Sequence, residues 1–308
     1  MDNIIITLKG LQLNINPMHK VNNDFILYND IRNINNEIIS SFYKDQTHKS
    51  TYILENESKI SSYLHKSVND VRENTELLID LTGQLKMFLN CLWLISDFSV
   101  LVKEGIVISS DKGIGYLDIT TSSYNNSNLR MDLFYKDGEV SIGKKDLNHA
   151  NAYYNKMNSF NKNQKHSNIE KRLNRAIAFI NEARQTINSY VRISFMVMSL
   201  ECILGNQKGE SVSNTALKTA YLNINLDKSN DFNKTYKFIK KCYGIRSTFV
   251  HGDYFSDQSV EDAKSISKEL ELLLKDIIKG CLDSKKFREL LKNPSEMINE
   301  LTKNFKLN

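Results

Sequence analysis

The stretch Lys237-Phe-Ile-Lys-Lys-Cys-Tyr-Gly-Ile-Arg246-Ser-Thr-Phe-Val-His251-Gly252 decides how the second half of this chain is interpreted. It lies in a helix that we predict to begin after Asp231, a favourable N-cap residue, and to run to about Val250. Gly252 predicts that the helix frays at His251, because glycine commonly follows the last helical residue. An arginine, an imidazole and a helix end therefore share one short segment.

Helical patterns surround this stretch on both sides. Val191–Leu204 is nearly all apolar and is followed by Gly205, so we predict a buried central helix there. Asn206–Ser213 is predicted to be a loop. Gly280 is predicted to end the helix Ser259–Lys279. The other predicted helices are Asn168–Tyr190, Asn214–Leu222, Ser259–Lys279, Ser284–Lys292 and Pro294–Phe305. Residues 161–308 are predicted to form a helical bundle, which the polar linker Asn158–Ser167 joins to the first half.

Residues 1–160 have a mixed pattern. Asp30–Tyr43 has a weak helical period, and the apolar spacing of Lys59–Val102 predicts one long amphipathic helix or two. Short β-branched or aromatic runs, separated by turn residues, predict strands and a small antiparallel sheet. The predicted strands are Ile4–Leu8, Gln12–Ile15, Ile106–Ser109, Gly115–Thr121, Leu129–Lys136 and Val140–Ile142. The predicted fold is mainly α, a helical bundle preceded by a smaller α+β region with a short antiparallel sheet.

Composition and charge limit the classes of protein to which this chain can belong. Its 308 residues include 41% hydrophobic and 25% charged residues and only two prolines, which excludes a disordered or fibrous chain. Residues 161–308 carry 25 Lys and Arg against 17 Asp and Glu, a net charge of +8, whereas residues 1–160 carry −3. This basic half is mildly suited to a polyanion. No signal segment or membrane span is evident, so we expect a cytoplasmic protein without membrane partners.

Two motifs in the second half resemble the HEPN superfamily, in particular its Apea-like branch. That branch has an apolar helix with an LExLL-type ending, which is matched here by Ser199-Leu-Glu201-Cys-Ile-Leu204. Some forty residues later it has a YxxRSxxVHG-type motif, which is matched by Tyr243-Gly-Ile-Arg246-Ser247-Thr-Phe-Val250-His251-Gly252. The resemblance covers about residues 165–282 and implies a HEPN-type helical domain.

The resemblance implies that Arg246 and His251 belong to a metal-independent ribonuclease site. Their chemistry suits that reaction, because cleaving RNA without a metal needs a group of near-neutral pKa to move a proton and a permanent cation to stabilise charge on the phosphate. The sequence contains no carboxylate cluster suited to two metal ions, so we expect neither a metal nor another cofactor. The expected products are a 2′,3′-cyclic phosphate and a 5′-hydroxyl.

The spacing of these two residues raises a geometric question. Five positions along a regular α-helix turn the side chains to about 140° apart, so Arg246 and His251 would not share a face. Fraying at Gly252 would let the imidazole turn back towards the arginine. Alternatively, as the resemblance favours, a homodimer formed through the HEPN domain would line one cleft with both motifs. We expect the dimer.

Neighbouring residues complete the predicted site. Lys234, Lys237 and Lys241 form a basic stripe suited to RNA phosphates, although such stripes are more often solvated helix faces. Tyr243 and Tyr254 are candidates for stacking on an unpaired base. The predicted supporting residues are Ser247, Asp253 and Glu201. Glu201 faces the core and is expected to pair with Arg246 or with a backbone donor, because an unpaired buried charge is costly.

The sequence thus predicts an endoribonuclease that cleaves tRNA or mRNA, in a prokaryotic anti-phage or toxin-like role that the resemblance implies. Residues 1–160 are a candidate surface for a regulator or a phage trigger. Two non-catalytic alternatives remain: a HEPN module that only dimerises or binds a partner, and an RNA-binding regulator. In both of them Arg246 and His251 merely stabilise the bundle.

Overall fold

The computed structural model divides the chain into two compact units, residues 1–155 and 156–308. The sequence placed the boundary near residue 160, and one helix, residues 144–162, crosses it. The structure describes residues 2–9, 11–14, 18–21, 25–28, 62–68, 75–96, 101–109, 113–117, 140–162, 168–186, 188–205, 210–252, 257–292 and 297.

A six-stranded sheet is the main β structure of the first unit. In chain order, the described strands of this unit are β1 (Asp2–Lys9), β2 (Leu11–Asn14), β3 (Met18–Val21), β4 (Phe25–Tyr28), β5 (Ser62–Val68), β6 (Leu101–Ser109), β7 (Gly113–Leu117) and β8 (Val140–Gly143). The sheet has the order β3-β4-β5-β1-β6-β7, and its neighbouring strands are antiparallel. The predicted antiparallel sheet is confirmed, with β1 as a central strand.

Two predictions for the first unit are wrong. Val140–Ile142 was expected in the antiparallel sheet, but β8 pairs in parallel with β2 in a separate two-stranded sheet. The helix predicted within Lys59–Val102 is confirmed over Thr75–Ile95, which forms α1, but the prediction is wrong on either side of it, where the range contains β5 and the start of β6. Both corrections have one cause: the pairing partners are distant in sequence, and pairing between distant strands overrides the local pattern. Asp30–Tyr43 and Leu129–Lys136 lie outside the described residues.

Helix α1 supplies much of the apolar core described for the first unit. Leu85, Phe88, Leu92 and Trp93 are buried along it. The ring of Phe88 meets that of Tyr154 edge-on, with centroids 5.9 Å apart and planes at 88°. Such edge-to-face contacts suit the opposite charge distributions of ring face and ring edge.

The second unit is a helical bundle, as predicted. The described helices that follow β8 are α2 (Lys144–Lys162), α3 (Asn168–Gln185), α4 (Ser189–Leu204), α5 (Val212–Leu226), α6 (Phe232–His251), α7 (Asp257–Asp283) and α8 (Lys285–Leu290). Helix α4 is the buried central helix and packs against α3, α6 and α7. None of the helices in the described ranges is both long and apolar enough to cross a membrane.

Local capping residues explain most of the helix boundaries. Asp231 caps α6 as predicted, Ser284 caps α8, and Gly205 ends α4 with φ of 65°. The predicted helix Asn168–Tyr190 ends earlier, at Gln185, and α4 begins at Ser189, because the Asn188 side chain accepts from the N–H groups of Tyr190 and Val191 and caps α4.

The two polar segments flanking these helices differ from their predictions. The predicted linker Asn158–Ser167 begins inside α2, and its residues 163–167 lie outside the described residues. The predicted loop Asn206–Ser213 ends earlier than expected, because Ser211 caps α5 and Val212 is already helical. Of the predicted terminal helix Pro294–Phe305, only residue 297 is described.

A buried ion-pair network links three helices of the bundle. The Nη2 atom of Arg192 in α4 lies 2.6 Å from Oε2 of Glu271 in α7. The Nε atom of Arg184 in α3 lies 3.5 Å from Oε1 of the same carboxylate. The side chains of Arg192, Glu271 and Arg184 are only 3%, 10% and 17% exposed. Both oxygens of this carboxylate are therefore committed to arginines within the core.

Gly280 does not end α7, contrary to the prediction, because the helix continues to Asp283. A Cβ at Gly280 would clash with Leu226 Cδ2 and would lie 3.2 Å from ring carbons of Phe287. The glycine therefore permits close packing between helices. We expect Gly280→Ala to lower the free energy of unfolding by about 1–3 kcal/mol despite the better helix propensity of alanine. Chemical denaturation followed by far-UV circular dichroism measures this change.

Gly244 provides the matched control. It also lies inside a helix, but a Cβ there would meet no atom within 4 Å. Gly244→Ala should therefore raise the free energy of unfolding by about 0.5–1 kcal/mol. Equal effects of the two substitutions would contradict the packing role of Gly280.

Candidate active site

Helix α6 carries both residues of the predicted catalytic pair. It begins at Asp231, whose Oδ1 accepts from the N–H of Lys234 at 3.0 Å, and it is helical through His251. Gly252 has φ of 78° and donates its N–H to carbonyls of the last turn. The expectation that the helix frays at His251 is therefore wrong, since the left-handed glycine closes the helix after that residue. Arg246 and His251 remain about 140° apart around one regular helix.

Arg246 points towards the end of α4 and forms an ion pair there. Its Nη1 lies 2.8 Å from Glu201 Oε1, and the Arg246 and Glu201 side chains are 25% and 31% exposed. This is one of the two pairings expected for Glu201. The carboxylate does not face the core as predicted, because it lies in the last turn of α4, where the bundle covers it only partly.

Tyr243 is the third member of this cluster, one helical turn before the arginine. Its hydroxyl donates to the same oxygen, Glu201 Oε1, at 2.9 Å, and it is also hydrogen-bonded to the side chain of Thr215 in α5. The Arg246 Cζ atom lies 6.0 Å from the centroid of the Tyr243 ring. Burial raises the pKa of the Tyr243 hydroxyl above its ordinary value, so the group stays protonated and donates at physiological pH.

His251 lies on a different face of α6, which is open to solvent. Gly244, Ser247, Val250 and His251 are all exposed, Val250 to 65%. Positions 244, 247 and 251 are three and four residues apart and therefore share one side of the helix. The structure places Ser247 with His251 on this side and not beside Arg246.

The predicted basic stripe precedes these residues on the same helix. Lys234, Lys237 and Lys241 are all exposed, and none of them forms an ion pair with another described residue. Lys240, which the sequence analysis did not include, is also exposed, and its Nζ lies 5.5 Å from the centroid of the Tyr236 ring. Its position three residues after Lys237 was a signal that could have found it.

Two predicted site residues, Asp253 and Tyr254, lie outside the described residues. Sequence reasoning also missed Thr215 and Arg175. Arg175 of α3 is exposed and hydrogen-bonds Cys202, the residue after Glu201. No local sequence signal marks either residue, because each reaches the site from another helix.

Within the part of the chain that the structure describes, no group of three or more His, Cys, Asp or Glu is gathered closely enough to hold a metal ion. No protein-family model, no curated protein and no solved structure matches this chain.

Proposed function

We propose that this chain is a metal-independent endoribonuclease of HEPN type that cleaves tRNA or mRNA. The observation that carries the proposal is the placement of an oriented, partly exposed arginine on the same helix as an exposed histidine and an exposed lysine stripe. Glu201 and Tyr243 hold the Arg246 end of this arrangement, and His251 lies at the end of the helix.

Arg246 and His251 would perform complementary parts of the reaction. A guanidinium can supply two parallel N–H donors to phosphate oxygens and stabilise the negative charge that develops on them. An imidazole can exchange a proton near neutral pH. In the proposed reaction the ribose 2′-oxygen attacks phosphorus and forms a 2′,3′-cyclic phosphate, while the 5′-oxygen leaves as a hydroxyl.

The angular separation of the two residues supports a dimeric site. Within one chain, Arg246 faces α4 while His251 faces solvent, so the two groups do not approach one phosphate from the same side. In the proposed homodimer, each site takes Arg246 from one protomer and His251 from the other.

Exposed cations along α6 support RNA as the substrate. The lysines at positions 234, 237, 240 and 241 extend away from the proposed site and would neutralise successive phosphates of a bound strand. In the wider proposal, the enzyme is a cytoplasmic anti-phage or toxin-like effector, and residues 1–160 receive a regulator or a phage trigger.

RNA cleavage in EDTA tests the proposed function. We expect the purified protein to cleave total tRNA or mRNA without added metal and to leave 2′,3′-cyclic phosphate ends, detected by their resistance to ligation and phosphatase. Arg246→Ala and His251→Ala should each lower the rate by at least about 100-fold, the usual contribution of a general acid or base.

His149→Ala is the matched control for this assay. His149 is an exposed histidine on α2, outside the proposed site, so its substitution should leave the cleavage rate unchanged. Absence of cleavage by the wild-type protein on every RNA tested would contradict the proposal.

One observation favours a non-catalytic alternative, a HEPN dimerisation module or an RNA-binding regulator. Arg246 is already paired with a carboxylate, as a purely structural arginine would be. Salt-dependent RNA binding that survives His251→Ala, with no product formed, would support the RNA-binding regulator.

A further inference from the structure

The proposed reaction needs two proton transfers, and one histidine per site does not easily provide both. A base must remove the proton of the attacking 2′-hydroxyl, and an acid must protonate the leaving 5′-oxygen. In an in-line displacement these two oxygens lie on opposite sides of phosphorus, so the base and the acid are best supplied by groups on opposite sides of the site. In the proposed dimer, His251 and the cluster around Arg246 come from different protomers, so this cluster would face the phosphate from the side opposite His251.

Glu201 has an unused oxygen at this position. Its Oε1 accepts from both Arg246 Nη1 and the Tyr243 hydroxyl, at 2.8 Å and 2.9 Å. Among the described residues, no group hydrogen-bonds its Oε2. With 31% of the side chain exposed, Oε2 is accessible to a ligand.

Glu271 shows what a structural carboxylate looks like in the same bundle. It uses Oε1 for Arg184 and Oε2 for Arg192, and only 10% of its side chain is exposed. Glu201 differs in both respects, because none of the described residues hydrogen-bonds its Oε2 and its side chain is partly open. Pairing with arginines therefore accounts for both oxygens of Glu271, but among the described residues it accounts for only one oxygen of Glu201.

We propose that Glu201 is the general base of the ribonuclease reaction, an inference that rests on the proposed function. Glu201 Oε2 accepts the proton of the ribose 2′-hydroxyl as the 2′-oxygen forms its bond to phosphorus. The bond from phosphorus to the 5′-oxygen breaks, and the 5′-oxygen takes its proton from the protonated His251 ring. The products are a 2′,3′-cyclic phosphate and a 5′-hydroxyl, and the two protein groups exchange a proton with solvent to return to their starting states.

The groups facing Glu201 fit this role. Arg246 Nη1, 2.8 Å from Oε1, holds the carboxylate beside the cation that would bind the phosphate. Tyr243 occupies Oε1 and thereby leaves Oε2 as the reacting atom. On the other side, the Cys202 thiol interacts with both the Glu201 carboxylate and the Arg175 guanidinium of α3, and burial raises the pKa of Cys202, so this thiol remains neutral.

Glu201→Gln separates the role of Glu201 as a proton acceptor from its role in holding Arg246 and Tyr243. Glutamine retains a carbonyl oxygen for Arg246 and Tyr243 but has no basic oxygen. We expect kcat to fall by about 100- to 10,000-fold with KM nearly unchanged, and the acid limb of the pH–rate profile to disappear. Glu201→Asp should recover part of the rate and the acid limb. Tyr243→Phe, the positioning control, should lower the rate less and keep the acid limb.

A second substrate identifies which proton each group moves. We would use the RNA oligonucleotide cleaved by the wild-type protein, made with oxygen or with sulfur at the 5′-bridging position of the cleaved linkage. Because a thiolate leaves without protonation, the sulfur substrate should restore cleavage by His251→Ala and should not restore cleavage by Glu201→Gln.

Three results would overturn the proposal: wild-type rates for Glu201→Gln, retention of its acid limb, or its rescue by the sulfur substrate. These results differ from a failure of the proposed function, in which the wild-type protein itself cleaves neither substrate. Thermal unfolding of each variant shows whether the fold is retained, and Glu201→Asp keeps the test decisive if Glu201→Gln does not fold.

Discussion

Co-expression of the Arg246→Ala and His251→Ala chains is expected to restore RNA cleavage to about a quarter of the wild-type rate, although each variant alone is nearly inactive. In a mixed dimer, one site combines the intact arginine of one protomer with the intact histidine of the other, and the second site lacks both. With random pairing, half of the dimers are mixed and each has one of two sites active. The initial rate of cleavage per total protein measures the recovery.

A chain carrying both substitutions gives the converse experiment. Co-expressed in equal amounts with wild-type chains, it should reduce the rate to about a quarter, because every site of a mixed dimer then lacks one group. If each protomer had a complete site of its own, the rate would be about half, and the two single variants would not complement each other. Either result would rule out the shared site.

Glu271→Ala is expected to lower the free energy of unfolding by about 3–5 kcal/mol, the largest loss of stability predicted here. The substitution leaves Arg192, whose side chain is 3% exposed, and Arg184 without the carboxylate that balances them in the core. Chemical denaturation followed by far-UV circular dichroism measures the change in the helical bundle. Fluorescence of Trp93, the single tryptophan, reports on the first unit separately.

Glu261→Ala is the matched control on the same helix. Glu261 pairs with Lys264 at 2.6 Å, but its side chain is 68% exposed. Exposed pairs contribute little, so the change in the free energy of unfolding should stay within about 1 kcal/mol. Similar losses for the two glutamates would contradict a buried, charge-balancing role for Glu271.

The proposed active site was only partly predictable from the sequence. Arg246 and His251 were found from a motif within one helix, and the pairing of Glu201 with Arg246 was one of two expected pairings. The Tyr243 hydroxyl was not expected to share Glu201 Oε1, because a tyrosine beside a motif gives no indication of where its hydroxyl points. The Oε2 atom, on which the proposed base depends, has no hydrogen-bond partner among the described residues, and this is visible only in the packed bundle.

Sequence errors were concentrated where distant segments meet. Ser62–Val68 was assigned to a helix because its own residues do not show that β1 and β4 pair with it. Gly280 was assigned as a helix end because the residue it packs against, Leu226, lies 54 positions earlier in the chain. A glycine that ends a helix and a glycine that allows close packing look the same in sequence. Only the neighbouring helix distinguishes them.

By itself, the sequence determined that the second unit is a helical bundle, where several helices begin, and that Arg246 and His251 lie on one of them. These properties are local, because caps and apolar spacing act over a few residues. Only the tertiary structure decided that Arg246 and Tyr243 meet Glu201 while His251 faces solvent, since the two contacts with Glu201 join residues 45 and 42 positions apart. The orientation of each helix about its own axis is set by packing against its neighbours, which no short segment of sequence specifies.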